Sequence, residues 1–113
     1  MSMTEATLKN LVQPAHEVWK LHLSWTVPVG WVLLPNERTH HARKISCAEA
    51  EMFLTGLLHL ATGCGICEDE TMPTDSRFCV FTICETSPDI DRTWHGRSPI
   101  EALMEAWKGG ARR

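Results

Sequence analysis

The sequence predicts an α+β fold in which an antiparallel sheet of three or four strands carries two helices on one face. Two observations support this prediction. Two segments place apolar residues at helical spacing between clear start and stop signals, and the segments around them alternate apolar and polar residues. The predicted order is β-β-α-β-(β)-α after a short N-terminal helix. At 113 residues, we expect a single domain, 1–113, with a core large enough to need no disulfide or metal.

The N-terminal part of the chain predicts a short helix followed by a β-hairpin. Apolar residues recur at helical spacing up to Pro14, where the helix should break because proline has no amide proton. From Trp19 to Val27 every second residue is apolar, which is typical of a strand buried on one face. A turn that ends at Gly30 then leads into the return strand WVLL.

Two longer helices have marked ends. The first, residues 46–62, begins with a capping box at Ser46 and ends before Gly63. Its apolar residues fill almost half of the helix circumference, so we expect a core helix with one narrow polar edge. The residues expected on the apolar side are Cys47, Ala50, Phe53, Leu54, Leu57, Leu58, Leu60 and Ala61. The second helix begins after the capping residue Ser98 and ends at Gly109.

Two further strands are predicted between the helices. The stretch RFCVFTICET, residues 77–86, predicts the third strand, and RTWH, residues 92–95, predicts a short fourth one. Apolar residues occupy both alternations of the third strand, so it should be buried on both faces. The sequence allows two possibilities for what covers the second face of this sheet. The N-terminal segment could fold back over it, or another molecule could cover it, either a partner protein or a second protomer in a homodimer.

Composition excludes several functional classes. The net charge is -3 and no stripe of lysine and arginine runs along the chain, so we expect no direct nucleic-acid binding. The N-terminal residues lack the pattern of a signal peptide, and no window contains 18 apolar residues, so we expect a cytoplasmic protein without membrane contact. The five cysteines should then be reduced thiols.

The stretch TGCGICEDETMPTDS, residues 62–76, raises the question of a metal site, because Cys64 and Cys67 form a C-x-x-C pair. A structural zinc site needs four cysteine or histidine ligands, usually as two close pairs, and this is the one such pair in the sequence. We therefore predict a glycine turn with an acidic flank and no cofactor. The alternative is zinc bound by Cys64, Cys67 and His59, with His40, His41 or His95 as the fourth ligand. A thioredoxin-like centre is disfavoured, because the pair follows the end of a helix, where the helix dipole opposes a thiolate.

One residue suggests covalent catalysis. Cys47 stands at the first position of the predicted helix, and Lys44, His40 and His41 precede it. A helix N-terminus near cations is where a cysteine becomes reactive. No hydrolase, nucleotide-binding or metalloprotease motif accompanies it. We therefore predict that the protein is not an enzyme and keep a Cys47-dependent hydrolase or transferase as an alternative.

Two groups of residues are the candidates for binding a partner protein. The loop NERTHHARK holds five side chains that can carry positive charge, and such a patch suits an acidic partner surface or a phosphate. They are Arg38, His40, His41, Arg43 and Lys44. Trp31 and Trp94 lie next to turns, and tryptophan is enriched in the residues that dominate protein interfaces.

The last quarter of the chain resembles a known pattern. A strand, a loop and the segment GRSPIEALMEA are similar to the C-terminal half of small phage-encoded α/β proteins of the ABA-sandwich type, and more distantly to HicB-like antitoxins. The residues that carry the likeness are Gly96, Ser98, Pro99, Glu101, Ala102 and Leu103. The resemblance implies an accessory protein of a mobile element that binds and blocks a host protein, for example one of a defence system. We therefore predict a small, non-enzymatic, inhibitory binding protein, with a zinc-stabilised binding module as the alternative.

Overall fold

The computed structural model describes residues 3–82 and 92–112, and it confirms the α+β class. Within these residues the strands form two antiparallel sheets of three strands each, where one sheet was predicted. The order of the elements roughly follows the predicted one, with two further strands added. The chain divides into two compact units, Met1–Leu54 and Thr55–Arg113. The single domain stays a prediction.

The first unit begins with a helical segment that is interrupted near Pro14, as predicted. Helix α1 spans Glu5–Val12, a 3-10 turn spans Gln13–Ala15, and helix α2 spans His16–Trp19. The proline lies in the 3-10 turn, where its missing amide proton interrupts the α-helical hydrogen bonds. The helix resumes after this turn, so Trp19 ends a helix where the alternation had placed the start of a strand.

The sheet of the first unit has the order β1-β2-β3. Strand β1 spans Leu23–Thr26, β2 spans Gly30–Leu33 and β3 spans Arg43–Lys44. Strands β1 and β2 form the predicted antiparallel hairpin, in which Leu23 lies opposite Leu33. Strand β3 was not predicted, because its two residues are charged and only their pairing with β2 makes them a strand.

Burial in the first unit departs from the predicted alternation at both ends of β1. Leu21 and Val27 were expected on the buried face, but both lie outside the strand and are exposed. Strand β1 covers only part of the segment in which apolar and polar residues alternate. Outside the strand, successive side chains no longer point to opposite faces of a sheet, so the pattern does not predict the burial of Leu21 and Val27. The buried apolar residues of this unit are Leu8, Val12, Ala15, Trp19, Leu23, Trp31, Ile45, Ala50 and Leu54.

Helix α3 spans Cys47–Thr62, as predicted, and the division between the units falls within it. Its start is capped by Ser46, whose hydroxyl accepts the amide of Glu49 at 3.1 Å. Gly63 ends the helix with a φ of 67°, in the left-handed region that favours glycine.

The apolar side of α3 is less buried than predicted. Phe53 and Leu60 were expected in the core, but they are exposed by 40% and 64% of their surface. Both lie at one end of the predicted apolar arc, next to the position of Glu49. The buried side of α3 is therefore narrower than predicted, and its fully buried residues are Ala50, Leu54 and Leu58.

The second unit contains the other sheet, with strand order β4-β5-β6, and the last helix. Strand β4 spans Cys64–Glu68, β5 spans Phe78–Thr82 and β6 spans Thr93–Gly96, and helix α4 spans Pro99–Lys108. A 3-10 turn, Thr74–Ser76, lies between β4 and β5. Strands β5 and β6 confirm the predicted third and fourth strands, and residues 83–86 of the predicted third strand lie outside the described residues.

Helix α4 packs on one face of this sheet. A Cβ atom added to Gly96 would lie 2.6 Å from the backbone nitrogen of Ala102, so β6 passes directly against the first turn of the helix. A Cβ atom added to Gly109 would lie 2.6 Å from the indole nitrogen of Trp94, at the other end of the helix. The register places Val80 opposite Trp94, and Val80 is completely buried on this face.

Candidate functional site

The turn between β1 and β2 presents apolar side chains to solvent. We call Val27, Pro28 and Val29 the hairpin tip. Val27 is exposed by 77% of its surface and Val29 by 45%. Gly30 follows with a φ of 91°, a conformation that side-chain-bearing residues rarely adopt, and so closes the turn. Neighbouring apolar residues that are exposed together form a patch typical of protein interaction sites.

A cleft of about 240 Å³ lies beside the hairpin tip. Its lining residues are Glu5, Ala6, Trp25, Thr26, Val27, Pro28 and Gly30. The carboxylate of Glu5 lies against the backbone of Gly30, 2.6 Å from the position that a Cβ atom would take. The ammonium of Lys9 lies 5.7 Å from the centre of the Trp25 ring. The cleft therefore combines an aromatic ring, an apolar rim and one carboxylate, which is the composition typical of a small binding pocket.

The predicted basic loop, residues 38–44, is exposed along its whole length. Asn36 starts it, since its side-chain oxygen accepts the backbone amides of Arg38 and Thr39 at 2.8 and 2.9 Å. Arg43 forms an exposed ion pair with Glu49 at 3.6 Å, an interaction that contributes little to stability. The positive charges of this loop are thus available to a partner.

The basic loop and the hairpin tip lie at opposite ends of the first sheet. The tip joins Thr26 to Gly30, whereas the loop leads from Leu33 to Arg43, at the other end of the same strand. Four residues of extended chain span about 13 Å. One partner surface of ordinary size, about 800 Å² on each side, can cover both.

Trp31, predicted as a partner contact, is completely buried. Its ring packs edge-on against Trp19, with ring centres 5.4 Å apart. The ring of Trp19 is fixed in turn by a hydrogen bond from its indole nitrogen to the carbonyl of Val12, at 2.9 Å. The expected exposure of Trp31 is wrong, because a position beside a turn does not decide which way a side chain points, and this one points into the core.

Trp94, the other predicted contact residue, is half-buried. Its indole lies against Gly109, and the guanidinium of Arg92 lies 4.9 Å from its ring centre. Arg92 also donates a hydrogen bond to the carbonyl of Gly109. These contacts hold the ring between β6 and the end of α4, so a partner could reach only part of it.

The C-x-x-C stretch is a strand and not the predicted glycine turn. Cys64 lies opposite Thr82 and Cys67 opposite Cys79, in a regular antiparallel pairing of β4 with β5. Residues three apart on a strand point to opposite faces, so Cys64 is buried while Cys67 is exposed.

The strand conformation also separates the residues of the zinc alternative. Cys64 and Cys67 cannot bind one ion from opposite faces of a sheet. His59 is exposed in the last turn of α3, and Cys64 directs its thiol to the carbonyl of Thr62, 3.8 Å away. Within residues 3–82 and 92–112, no group of three or more histidine, cysteine, aspartate or glutamate side chains is close enough to hold a metal.

A pair that the sequence reasoning missed lies across this sheet. Cys67 and Cys79 are direct cross-strand neighbours, and His95 is the next residue in the same row, on β6. Their alignment depends on the register of three strands, which the sequence does not state. The sequence offered no signal for this pair, because the residues of β4 are not recognisable as a strand before their pairing with β5 is known.

Cys47 lacks the environment of a reactive thiol. Burial raises the pKa of Cys47, and the nearby carboxylates of Glu5 and Glu51 raise it further. Its thiol lies 3.2 Å from the carbonyl of Met3, to which it donates a hydrogen bond. A helix N-terminus lowers the pKa of a thiol, but here the opposing effects are larger. This geometry gives no support to the catalytic alternative.

Comparisons with protein-family models, with curated proteins and with solved structures found no significant match to this chain. In the described part of the chain, none of the helices has the length and apolar character required to cross a bilayer.

Proposed function

We propose that the protein is a small non-enzymatic binding protein that acts by covering a surface of a partner protein. The observation that carries this proposal is the hairpin tip, where Val27 and Val29 are exposed beside a cleft. Apolar surface removed from water contributes about 25 cal/mol for each Å², so covering this tip stabilises a complex. A turn that is held by two paired strands loses less conformational entropy on binding than an unpaired loop.

The cleft gives the tip specificity. A side chain of the partner that enters it would contact the Trp25 ring and approach the Glu5 carboxylate. A hydrogen-bond-donating side chain suits this combination, because it can interact with the carboxylate and pack beside the ring, which already has the ammonium of Lys9 5.7 Å from its centre.

The basic loop adds charge complementarity. Arg38, Arg43 and Lys44 are exposed, and their loop begins at the far end of β2, about 13 Å along the strand from the tip, within the reach of one interface. Exposed charges at the rim of an interface mainly increase the association rate. We therefore expect the partner to carry acidic residues opposite this loop. The resemblance of the last quarter of the chain extends the proposal to inhibition of a host protein by a protein of a mobile element.

The proposal is tested with two variants of equal exposure. Val27→Asp places a charge on the tip, and Met52→Asp places one on helix α3, where the side chain is also 77% exposed. Affinity capture from bacterial lysates with the wild-type protein would supply a stoichiometric partner, and calorimetry with the purified partner would give the Kd. We expect Val27→Asp to weaken binding at least tenfold and Met52→Asp to leave it within twofold.

Three results would contradict the proposal. The first is the failure of the wild-type protein to recover any stoichiometric partner. The second is an equal Kd for Val27→Asp and wild type, which would remove the tip as the contact. The third is an affinity that does not change with salt or with Arg38→Glu, which would remove the loop from the interface.

A further inference from the structure

The face of the second sheet that points away from α4 carries a row of reactive side chains. Cys67 on β4 lies opposite Cys79 on β5, and Cys79 lies opposite His95 on β6. Residues that are opposite each other in an antiparallel sheet share a face. Cys67 is exposed, Cys79 is partly exposed, and both are free thiols.

The backbone places this pair within the range that a disulfide needs. Residues directly opposite each other in an antiparallel pair have Cα atoms about 4.5 or 5.5 Å apart, depending on the hydrogen-bonding position. Disulfides join Cα atoms that are about 4.4 to 6.8 Å apart. Either position therefore allows an S–S bond without a change of register. Cys64 has no such relation to Cys67, because it lies on the other face of the same strand.

We propose that Cys67 and Cys79 are a redox-active dithiol, which a small-molecule disulfide such as oxidised glutathione converts reversibly into an intramolecular disulfide between β4 and β5. The proposal does not depend on the proposed binding function, because the two thiols lie on β4 and β5, whereas the hairpin tip lies between β1 and β2.

The reaction has two exchange steps. In the first, the thiolate of Cys67 attacks one sulfur of oxidised glutathione, which breaks the S–S bond and releases one reduced glutathione. In the second, Cys79 loses its proton to solvent and its thiolate attacks the sulfur of Cys67, which releases the second glutathione. Two protein thiols are oxidised, and one glutathione disulfide is reduced to two thiols.

The environment of the pair sets this order. Cys67 has the more exposed thiol and meets the oxidant first. Burial raises the pKa of Cys79, and the neighbouring Cys67 and its hydrogen bond, together with Asp69, raise it further. Cys79 is therefore the slower thiol in solution. It can nevertheless resolve a mixed disulfide, because its partner sulfur is its direct neighbour across the strands.

The test uses the full chain, first reduced and then equilibrated with mixtures of oxidised and reduced glutathione. Remaining thiols are alkylated after denaturation and counted by mass spectrometry, and peptide mapping without reduction locates the bond. We expect two of the five thiols to disappear and a peptide pair that joins Cys67 to Cys79. Excess reduced glutathione should restore all five. The disulfide should also raise the midpoint of thermal unfolding.

Matched variants identify the roles of the two residues. Cys64→Ser changes a cysteine on the same strand but on the other face, and we expect the bond to form as in wild type. Cys79→Ser should stop the reaction after its first step and leave a stable glutathione adduct on Cys67. Cys67→Ser should leave Cys79 largely unmodified. Circular dichroism verifies that each variant is folded.

Several outcomes would overturn the proposal. One is a wild-type protein that keeps all five thiols in oxidised glutathione. Another is a persistent glutathione adduct on wild-type Cys67, which would show that Cys79 cannot reach it. A bond from Cys67 to Cys64 or Cys84, or between two chains, would assign the redox chemistry to a different pair.

Discussion

At the scale of single residues, two glycines show how the same change has opposite consequences. Gly96 is buried where β6 meets the first turn of α4, and an added Cβ atom would lie 2.6 Å from a backbone nitrogen. A backbone atom cannot move aside as the end of a long side chain can. Gly56 lies in the middle of α3 and has open space around it, since no heavy atom comes within 4 Å of the added Cβ atom.

We expect Gly96→Ala to lower the free energy of unfolding by about 2 kcal/mol, because the strand and helix must separate to admit the methyl group. We expect Gly56→Ala to raise it by roughly 0.5 to 1 kcal/mol, because alanine loses less backbone entropy in a helix. Urea unfolding followed by circular dichroism measures both. Equal stability of Gly96→Ala and wild type would show that β6 and α4 are not in close contact.

Cys47 allows a test of its own at this scale. Since burial and two carboxylates raise its pKa, its thiolate fraction at pH 7 is smaller than that of an unperturbed cysteine. We expect low concentrations of iodoacetamide to label the exposed Cys67 before Cys47, and Cys47 to become reactive only as the pH rises through the raised pKa. Glu5→Gln removes one of the carboxylates and should speed the labelling of Cys47. Selective labelling of Cys47 at pH 7 would restore the catalytic alternative.

At the scale of elements, the ends of helices could be predicted from neighbouring residues, whereas a strand that depends on pairing with a distant segment could not. The ends of α3 and α4 were predicted well, because capping residues act on backbone groups only a few positions away. Strand β4 was missed. Its residues CGICE have little strand propensity, and their extended conformation depends on hydrogen bonds to β5, whose partners lie 10 to 18 residues further along the chain. The candidate site followed the same rule: the basic loop is exposed as predicted, whereas the burial of Trp31 and the Cys67–Cys79 pair depend on tertiary pairing.

The cap of α4 is the element whose local signal can be measured directly. The hydroxyl of Ser98 accepts the amide of Glu101 at 3.4 Å, and the carboxylate of Glu101 accepts the amide of Arg97 at 3.1 Å. We expect Ser98→Ala to destabilise the protein by about 1 kcal/mol and Ser98→Asp to keep most of the stability, because aspartate is also a good capping residue. Urea unfolding of the three proteins measures the difference. If Ser98→Asp were as unstable as Ser98→Ala, the loss could not be assigned to the cap.

At the scale of the whole molecule, the central fact is that α3 runs across the division between the two units. A helix is cooperative, because each hydrogen bond spans a full turn, and it cannot end at Leu54 and start again at Thr55 without losing several of them. Each unit draws buried residues from its own part of this helix, Leu54 in the first unit and Leu58 in the second. Melting either part of the helix therefore removes core residues from one unit and frays the end of the other.

From this we expect the chain to unfold in one transition, in agreement with the single domain predicted from its length. Hydrogen exchange measured by mass spectrometry in increasing urea would report peptides from both units, and their midpoints should coincide. Gly56→Pro removes a helical hydrogen bond, and its ring clashes with the preceding turn of the helix. It should lower the free energy of unfolding by about 3 kcal/mol and shift both urea midpoints down together. Gly56→Ala is the matched control and should raise both. Two separate midpoints, or a Gly56→Pro variant in which only one unit is affected, would show that the shared helix does not couple the units and that the chain contains two domains.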